Sequence, residues 1–397
     1  MEIKIVNMDH NGNGIGKIDE KIVFVPKTIT GDICDIDIYK HYKKYDIGKV
    51  SKIISESDNH VKSICPYFNV CGGCNISNLS YEDQINFKVD KVKNIFKKYL
   101  DKDIKPQVIS SVTEYQYRNK ITYHKNNSLG LVGEFGGVID IDKCLLVSNG
   151  VNELYELIRK EDLSLVKLIT IKECDNGLIL IVDGKINTSK LTDKCISVYI
   201  NNKCIYKKED GYITIGNLKY KVSPNSFFQI NTSNISRLYD EIVRYGDFTK
   251  NDKVIDLYCG VGSISLYIAR FVKEVLGIEI VDDAIKDAKE NAKINGIDNT
   301  RFICGDVSKL IDDNINGDIL IVDPPRVGLD GHTIDVINNK KIEKVIYVSC
   351  NPMTLVRDLK LLDNYELKEI SVVDMFPQTH HTECVCLLSL KKQCKGL

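Results

Sequence analysis

The chain has no excess of charge of either sign: 54 lysines and arginines stand against 55 aspartates and glutamates, a formal net charge of -1 over 397 residues. A nucleic-acid partner therefore cannot be argued from overall charge, and any positive surface must be local. No apolar run approaches membrane-spanning length, and the start, MEIKIVNMDHNGNG, has neither a basic n-region nor an apolar h-region. These absences predict a cytoplasmic protein with no membrane partner. Internal repeats and low-complexity tracts are absent too, and the length predicts two or three domains with a sizeable core. What is abundant is cysteine. Fourteen of them in a reducing compartment do not read as a disulfide framework, so a subset should be ligands or nucleophiles and the rest small buried apolar residues.

Up to about Ile54 the pattern is one of short alternating strands (KIVFVP, DICDIDIYK, GKVSKII) between Gly, Asn and Asp turns, which predicts a small β-barrel over 1–55. The polar break SESDNHVKS leads into a cysteine cluster. From Leu79 to Leu100, Ile85, Val89, Val92, Ile95, Phe96 and Tyr99 recur at helical spacing. Ten basic residues against four acidic ones lie between Asn86 and Lys125, either as a solvated helix face or as a phosphate-binding strip. A mostly-β middle domain is expected over 56–226, with GLILIVDG and DKCISVYI its clearest strands and the 79–100 helix able to pack on the domain that follows. From 227 to 397 strands and helical patterns alternate, which argues for an α/β domain with a parallel sheet covered on both faces.

Ligands of such sheets sit beyond the carboxyl ends of the strands, and Asp256, Glu279, Asp306 and Asp323 occupy four of those ends. Glu279 follows the glycine turn by about twenty residues, the usual distance for an acid that accepts hydrogen bonds from ribose hydroxyls. The turn itself, DLYCGVG, lacks the third glycine of a dinucleotide fingerprint. S-adenosylmethionine has no pyrophosphate to hold and fits this turn better. Cys259 reads as a small core residue. The run DPPR is a rigid strand end able to present Asp323 and Arg326 to a planar substrate.

Two further residues complete a chemistry. Cys350 ends the strand after Asp323, and Glu383 is expected in the loop before the final strand. C5 of uracil is a poor nucleophile until a thiolate adds to C6; the resulting enolate attacks a sulfonium methyl, and a base then removes the C5 proton. Cys350 and Glu383 suit those two roles. An unperturbed cysteine is mostly protonated at neutral pH, so positive charge is needed nearby, with Arg326 and His381 the candidates. Apart from these, Cys65, Cys71 and Cys74 have the spacing C-x5-C-x2-C, close enough for one metal centre. Spacing alone does not choose a fourth ligand among Cys34, Cys144, Cys174 and others.

Together SPNSFFQIN, DLYCGVG, GIE, DPPR, VSCNP and DMFPQTHHTEC resemble the ordered motifs of the RNA uracil-C5 methyltransferases, in particular the TRAM-containing rRNA branch. The likeness implies a Rossmann-like S-adenosylmethionine-dependent methyltransferase sheet, an OB-like TRAM barrel at the N-terminus and a central domain with a [4Fe–4S] cluster. By the same likeness Cys350 is the nucleophile and Glu383 the proton acceptor, while Gln229, Tyr258, Glu279 and Asp323, with Ser263 and Asp306 less firmly, contact S-adenosylmethionine. Tyr258 replaces a frequent phenylalanine, and Thr382 stands where an apolar residue is common. The cluster ligands implied are Cys65, Cys71, Cys74 and Cys144, with zinc the alternative on ligand count. The implied product is 5-methyluridine in 23S rRNA, made by a monomer that flips its target base. The competing expectations are the same chemistry on tRNA and a non-catalytic iron–sulfur RNA-binding or assembly factor. A cytosine-C5 enzyme would carry a proline-cysteine nucleophile, which is missing here.

Overall fold

The computed structural model describes residues 1–314 and 316–392, the side chains of 313 and 314 excepted. Its strands form four sheets. At the N-terminus six strands between Glu2 and Ser55 alternate inward and outward residues, as a pleated chain must when one face is buried. Ile3, Ile5, Val23, Val25, Cys34 and Ile36 fill the interior. A seven-stranded sheet follows between Lys120 and Lys207, backed by the helix Asn149–Ile158. The hairpin Gly211–Ile215 and Leu218–Val222 belongs to neither. Its Ile213, Ile215, Tyr220 and Val222 share a core with the helix Thr232–Gly246.

The last sheet has eight strands. Five are parallel as expected, in the spatial order Thr300–Cys304, Glu274–Glu279, Lys253–Leu257, Ile319–Val322, Lys344–Ser349. Beyond them the sheet is mixed. Glu383–Leu390 inserts antiparallel between Lys344–Ser349 and Tyr365–Val373, because a connection of nine residues, 374–382, is too short for a parallel crossover. The edge strand Gln107–Ile109 comes from the region assigned to the middle domain and pairs parallel to Tyr365–Val373. Among the described residues no helix is long and apolar enough to cross a membrane.

The expected helix spans Tyr81–Leu100. Ser80 caps it, its Oγ accepting from Asp83 N, and Asp101 ends it in the left-handed conformation. Val89, Val92, Ile95 and Phe96 are buried against the sheet core, each worth about 1.5–3 kcal/mol relative to exposure. Tyr99 is exposed and does not share that face. The basic run also needs correction. Lys88 is fully buried and Lys91 partly so, and both are engaged by the loop 374–382 of the eight-stranded sheet, so neither is free for phosphate. Every described cysteine is unpaired, and Cys259 is a core residue.

Candidate active site

The five parallel strands end on one rim, where each sequence-predicted acid is found. After Lys253–Leu257 the backbone turns left-handed at Tyr258 (φ 64°), Gly260 (φ 55°) and Gly262 (φ 75°). A Cβ on Gly262 would stand 2.9 Å from Phe302, so the turn requires glycine there; over Gly260 the space is open. Glu279 is aimed at this turn, its two oxygens accepting from Gly260 N at 3.2 Å and Val281 N at 2.9 Å. Asp306 accepts from the amide and hydroxyl of Ser308. Ser263 Oγ accepts from Tyr239 at 2.7 Å.

Asp256 is wholly buried, and burial pushes its carboxyl up to about 7. One of its oxygens takes a hydrogen bond from Ser265, and the other has no partner among the described residues. Asp323 is likewise raised to about 7 by burial. Gln229 lies in a segment clamped from two sides. Lys172 donates to the carbonyls of Ser223 and Ser226, while Asp287 accepts from both their hydroxyls. The carbonyl of Gln229 accepts from Asn119 at 2.9 Å.

Cys350 directly follows Lys344–Ser349. Glu383 is not in a loop but is the first residue of Glu383–Leu390, and the pairing of Ser349 with Cys384 sets it beside Cys350. Two acids, Glu383 and Asp323, face the thiol. Burial first, then Glu383 and Asp323, push the Cys350 thiol up to about 11, against the opposing charge and hydrogen bond of Arg326. Burial and Asp323 hold the Glu383 carboxyl well above its ordinary range. Arg326 is fixed in place: its carbonyl accepts from Asn351 and Thr354, and Nη2 lies 3.2 Å from His381 Nδ1. Burial and then Arg326 lower His381 to about 4. His381 is therefore neutral at pH 7, leaving Arg326 as the positive group beside the thiol.

The loop 374–382, which delivers Glu383, is held by residues that sequence reasoning did not single out. Tyr81, Gln84, Lys88 and Lys91 share one face of the helix Tyr81–Leu100, at spacings of three and four. Lys88 Nζ donates to Asp374 at 2.6 Å and to the Phe376 carbonyl at 2.9 Å, and Tyr81 donates to the other Asp374 oxygen. Gln84 exchanges hydrogen bonds with Gln378, and Lys91 donates to the His380 carbonyl. Polar residues recurring at helical spacing were the available signal. Replacing Lys88 by methionine strands Asp374 as an unpaired buried charge, so unfolding free energy should fall by about 3–5 kcal/mol. Asp374→Asn added to it should restore part of that loss in a denaturant melt, and an additive pair would refute the coupling.

The four cysteines expected as ligands line one cavity of about 600 Å³, together with Phe68, Tyr115 and Arg118. Cys71 and Cys74 are fixed through their carbonyls by Lys27, and Cys144 through its backbone by Asn152. Burial, then the Cys144, Cys71 and Cys65 thiols, push Cys74 up to about 12. The structure thus gathers the donor set without drawing it into a coordination sphere: among the described residues no group of three or more His, Cys, Asp or Glu side chains is arranged to hold a metal ion. The same segment touches the loop 374–382. The amides of Asn75 and Ile76 donate to the Gln378 carbonyl, and His380 Nδ1 lies 2.8 Å from Asn75 Oδ1.

Residues 194–391 match the family described as tRNA (Uracil-5-)-methyltransferase, and residues 1–50 match the TRAM domain. The chain is 33% identical to an uncharacterized RNA methyltransferase of Halalkalibacterium halodurans, over 98% of this chain and 97% of that one. A counterpart from Staphylococcus aureus is 31% identical with the same coverage. The crystal structure of Pyrococcus abyssi tRNA (uracil-54, C5)-methyltransferase in complex with S-adenosyl-L-homocysteine superposes with a TM-score of 0.80, at 25% identity, covering 98% of this chain and 100% of that one. Likeness over both full lengths leaves no large part of the fold unaccounted for, and the barrel, the middle sheet and the mixed catalytic sheet are common property. The chain is therefore an RNA methyltransferase of the uracil-5-methyltransferase family, with a TRAM domain at its N-terminus.

Proposed function

We propose that this protein methylates C5 of a uridine in RNA through a transient bond between Cys350 Sγ and C6 of the base. The observation that carries this reading is the meeting of Cys350, Glu383, Asp323 and Arg326 at the rim of the sheet, with Glu383 buried, Cys350 and Asp323 half-buried and Arg326 exposed. S-adenosylmethionine, when bound, supplies the methyl group. The residues fit it: Glu279 faces the glycine turn, the space over Gly260 is open and one Asp256 oxygen lacks a partner among the described residues. Glu279 would hold the ribose hydroxyls, with Gln229, Tyr258, Ser263, Asp306 and Asp323 taking the remaining polar and planar contacts.

On the substrate side, Arg326 stabilises the Cys350 thiolate, which adds to C6 and moves the electron pair of the C5–C6 double bond toward C5 and the O4 oxygen. After C5 has taken the methyl group, Glu383 removes the C5 proton. The electrons of that C–H bond restore the double bond and expel the thiolate, and loss of the proton from Glu383 to solvent returns the enzyme to its starting state. A carboxylate with a raised pKa is a stronger base than an ordinary one, which suits this step.

The substrate we favour is a uridine of 23S rRNA, flipped into the pocket of a cytoplasmic monomer, with 1–55 and 56–226 gripping RNA and 227–397 performing the transfer. Support comes from the resemblance of its ordered motifs and cysteine quartet to the rRNA branch. A uridine of tRNA is the second reading, favoured by the Pyrococcus abyssi structure. Mapping 5-methyluridine in both RNAs from cells lacking the protein decides between them. Loss from 23S rRNA supports the first and loss from tRNA the second. Unchanged RNA, with no covalent complex on 5-fluorouridine RNA, would leave an RNA-binding or assembly factor.

Cys65, Cys71, Cys74 and Cys144 are proposed to hold a [4Fe–4S] cluster, which thiolates lining one cavity can ligate. Anaerobically purified protein should then be brown, with iron and sulfide in equal amounts, and Cys74→Ser should lose the colour. Colourless protein with one equivalent of zinc would reverse the assignment.

A further inference from the structure

The helix Pro352–Leu361 begins just after Cys350, and no step of the transfer uses it. Asn351 caps it, its side chain accepting from Met353 N at 3.1 Å. Asn351, Thr354, Arg357 and Asp358 recur at spacings of three and four and so share one face. That face is turned to residues 325–329, where the chain reverses and Gly328 N donates to the Pro325 carbonyl at 2.8 Å. Asn351 Nδ2 and Thr354 Oγ1 donate to the Arg326 carbonyl at 3.1 and 3.2 Å. Arg357 Nη2 donates to the carbonyls of Val327 at 2.8 Å and Leu329 at 3.1 Å.

Asp358 organises these donors. It is fully buried and accepts from Leu329 N at 2.8 Å, from the Tyr347 hydroxyl at 2.6 Å and from Arg357 Nε at 2.8 Å. The carboxylate therefore grips the turn directly through Leu329 and indirectly by aiming the Arg357 guanidinium. The approach is close: Gly328 is left-handed at φ 78°, and a Cβ there would collide with both Asp358 and Arg357.

Arg326 depends on such a grip. It is exposed, and the group its guanidinium meets besides the thiol, His381 at 3.2 Å, is neutral at pH 7. A neutral partner on an exposed side chain fixes position weakly, whereas five hydrogen bonds hold the backbone of 326–329. Coulomb attraction falls with distance, so the positive charge felt at the sulfur depends on where that backbone sits. The other charged groups facing the thiol, Glu383 and Asp323, act in the opposite sense. We propose that Asp358, through Arg357 and the turn 325–329, is a positioning residue that holds the Arg326 guanidinium against the Cys350 sulfur. One continuous element then fixes both partners, since the strand Lys344–Ser349 runs through Cys350 into the gripping helix. The inference rests on the reading of Cys350 as nucleophile and adds the residues that set the charge around it.

Paired alkylation reads that charge without RNA or S-adenosylmethionine. Iodoacetate is an anion and iodoacetamide a neutral reagent of nearly the same size, so their rate ratio at one thiolate reports local charge, with access and thiolate fraction cancelling. In the full-length protein Cys350 is followed by peptide mass spectrometry, with the exposed Cys304 as internal standard. Asp358→Asn should lower the iodoacetate-to-iodoacetamide ratio at Cys350 about tenfold, Arg326→Gln should do the same, and the double variant should fall no further. Thr354→Val, which strips one donor from the Arg326 carbonyl, should lower it about twofold, and Thr354→Ser should restore it. This second pair decides the matter if Asp358→Asn does not fold. A wild-type ratio in folded Asp358→Asn or in Arg326→Gln, losses that multiply in the double variant, or a loss shared by Cys304 would overturn the proposal. With RNA, Asp358→Asn should lower kcat about tenfold at unchanged KM, and an effect confined to KM would also overturn it. Should the wild type methylate or trap no RNA, the reading of Cys350 as nucleophile fails, and the alkylation ratios still decide the role of Asp358.

Discussion

Cys350→Ala should abolish methyl transfer, with turnover down by at least about 10⁴-fold, the scale on which an essential nucleophile is lost. The substitution removes one sulfur from a half-buried position and leaves the strand Lys344–Ser349 and its pairing intact, so melting should be unchanged. Covalent capture on 5-fluorouridine RNA should vanish with it. The wild type should also carry a pH signature. With its thiol raised to about 11, about one Cys350 in 10⁴ is thiolate at pH 7, and that fraction grows tenfold per unit of rising pH. Single-turnover rates should therefore climb by about tenfold per unit from pH 7 to 9. A variant without the sulfur that methylates at the wild-type rate would end the covalent reading. A flat profile would show instead that ionisation of Cys350 does not limit methyl transfer.

Glu383→Gln should behave differently, because the lost group acts after the methyl has moved. Glutamine keeps the shape and an acceptor oxygen but is not a base. Addition and methylation should proceed, and methylated RNA should remain attached to Cys350 and be visible as a denaturant-resistant complex. Release should slow by about 10²–10⁴-fold, the usual worth of a positioned general base. Folding should not suffer. Burial raises the Glu383 carboxyl, so its ionisation at pH 7 opposes the folded state, and that cost grows as pH rises above the unfolded value. The amide removes the penalty, and the variant should melt at or above the wild-type temperature. Free product released at the wild-type rate would remove Glu383 from its role.

Much of this site could be read in one dimension. The strands that hold Asp256 and Glu279 near their ends and those just before Asp306, Asp323 and Cys350 were marked by apolar runs with an acid or cysteine at the end, and each strand formed where expected. Local patterns of this kind survive because strand and helix periods depend on neighbours along the chain. Reading failed where the partner was distant. Glu383 was expected in a loop and begins a strand, since the antiparallel return of Glu383–Leu390 is a property of the whole sheet. Lys88 and Lys91 counted toward a basic surface until the catalytic loop was seen to bury them. His381 was a candidate cation until burial beside Arg326 made it neutral.

By itself, then, the sequence determined the order of the elements, the chemistry carried at the strand ends and the family to which they point. Tertiary structure decided which charges meet. Lys88 and Asp374 lie 286 residues apart and bond at 2.6 Å. The barrel turn, cysteine segment and catalytic loop converge on His380 in the same way. The physical reason is that Coulomb energy and desolvation depend on distance in space and on the exclusion of water, and a linear chain specifies neither until it has folded.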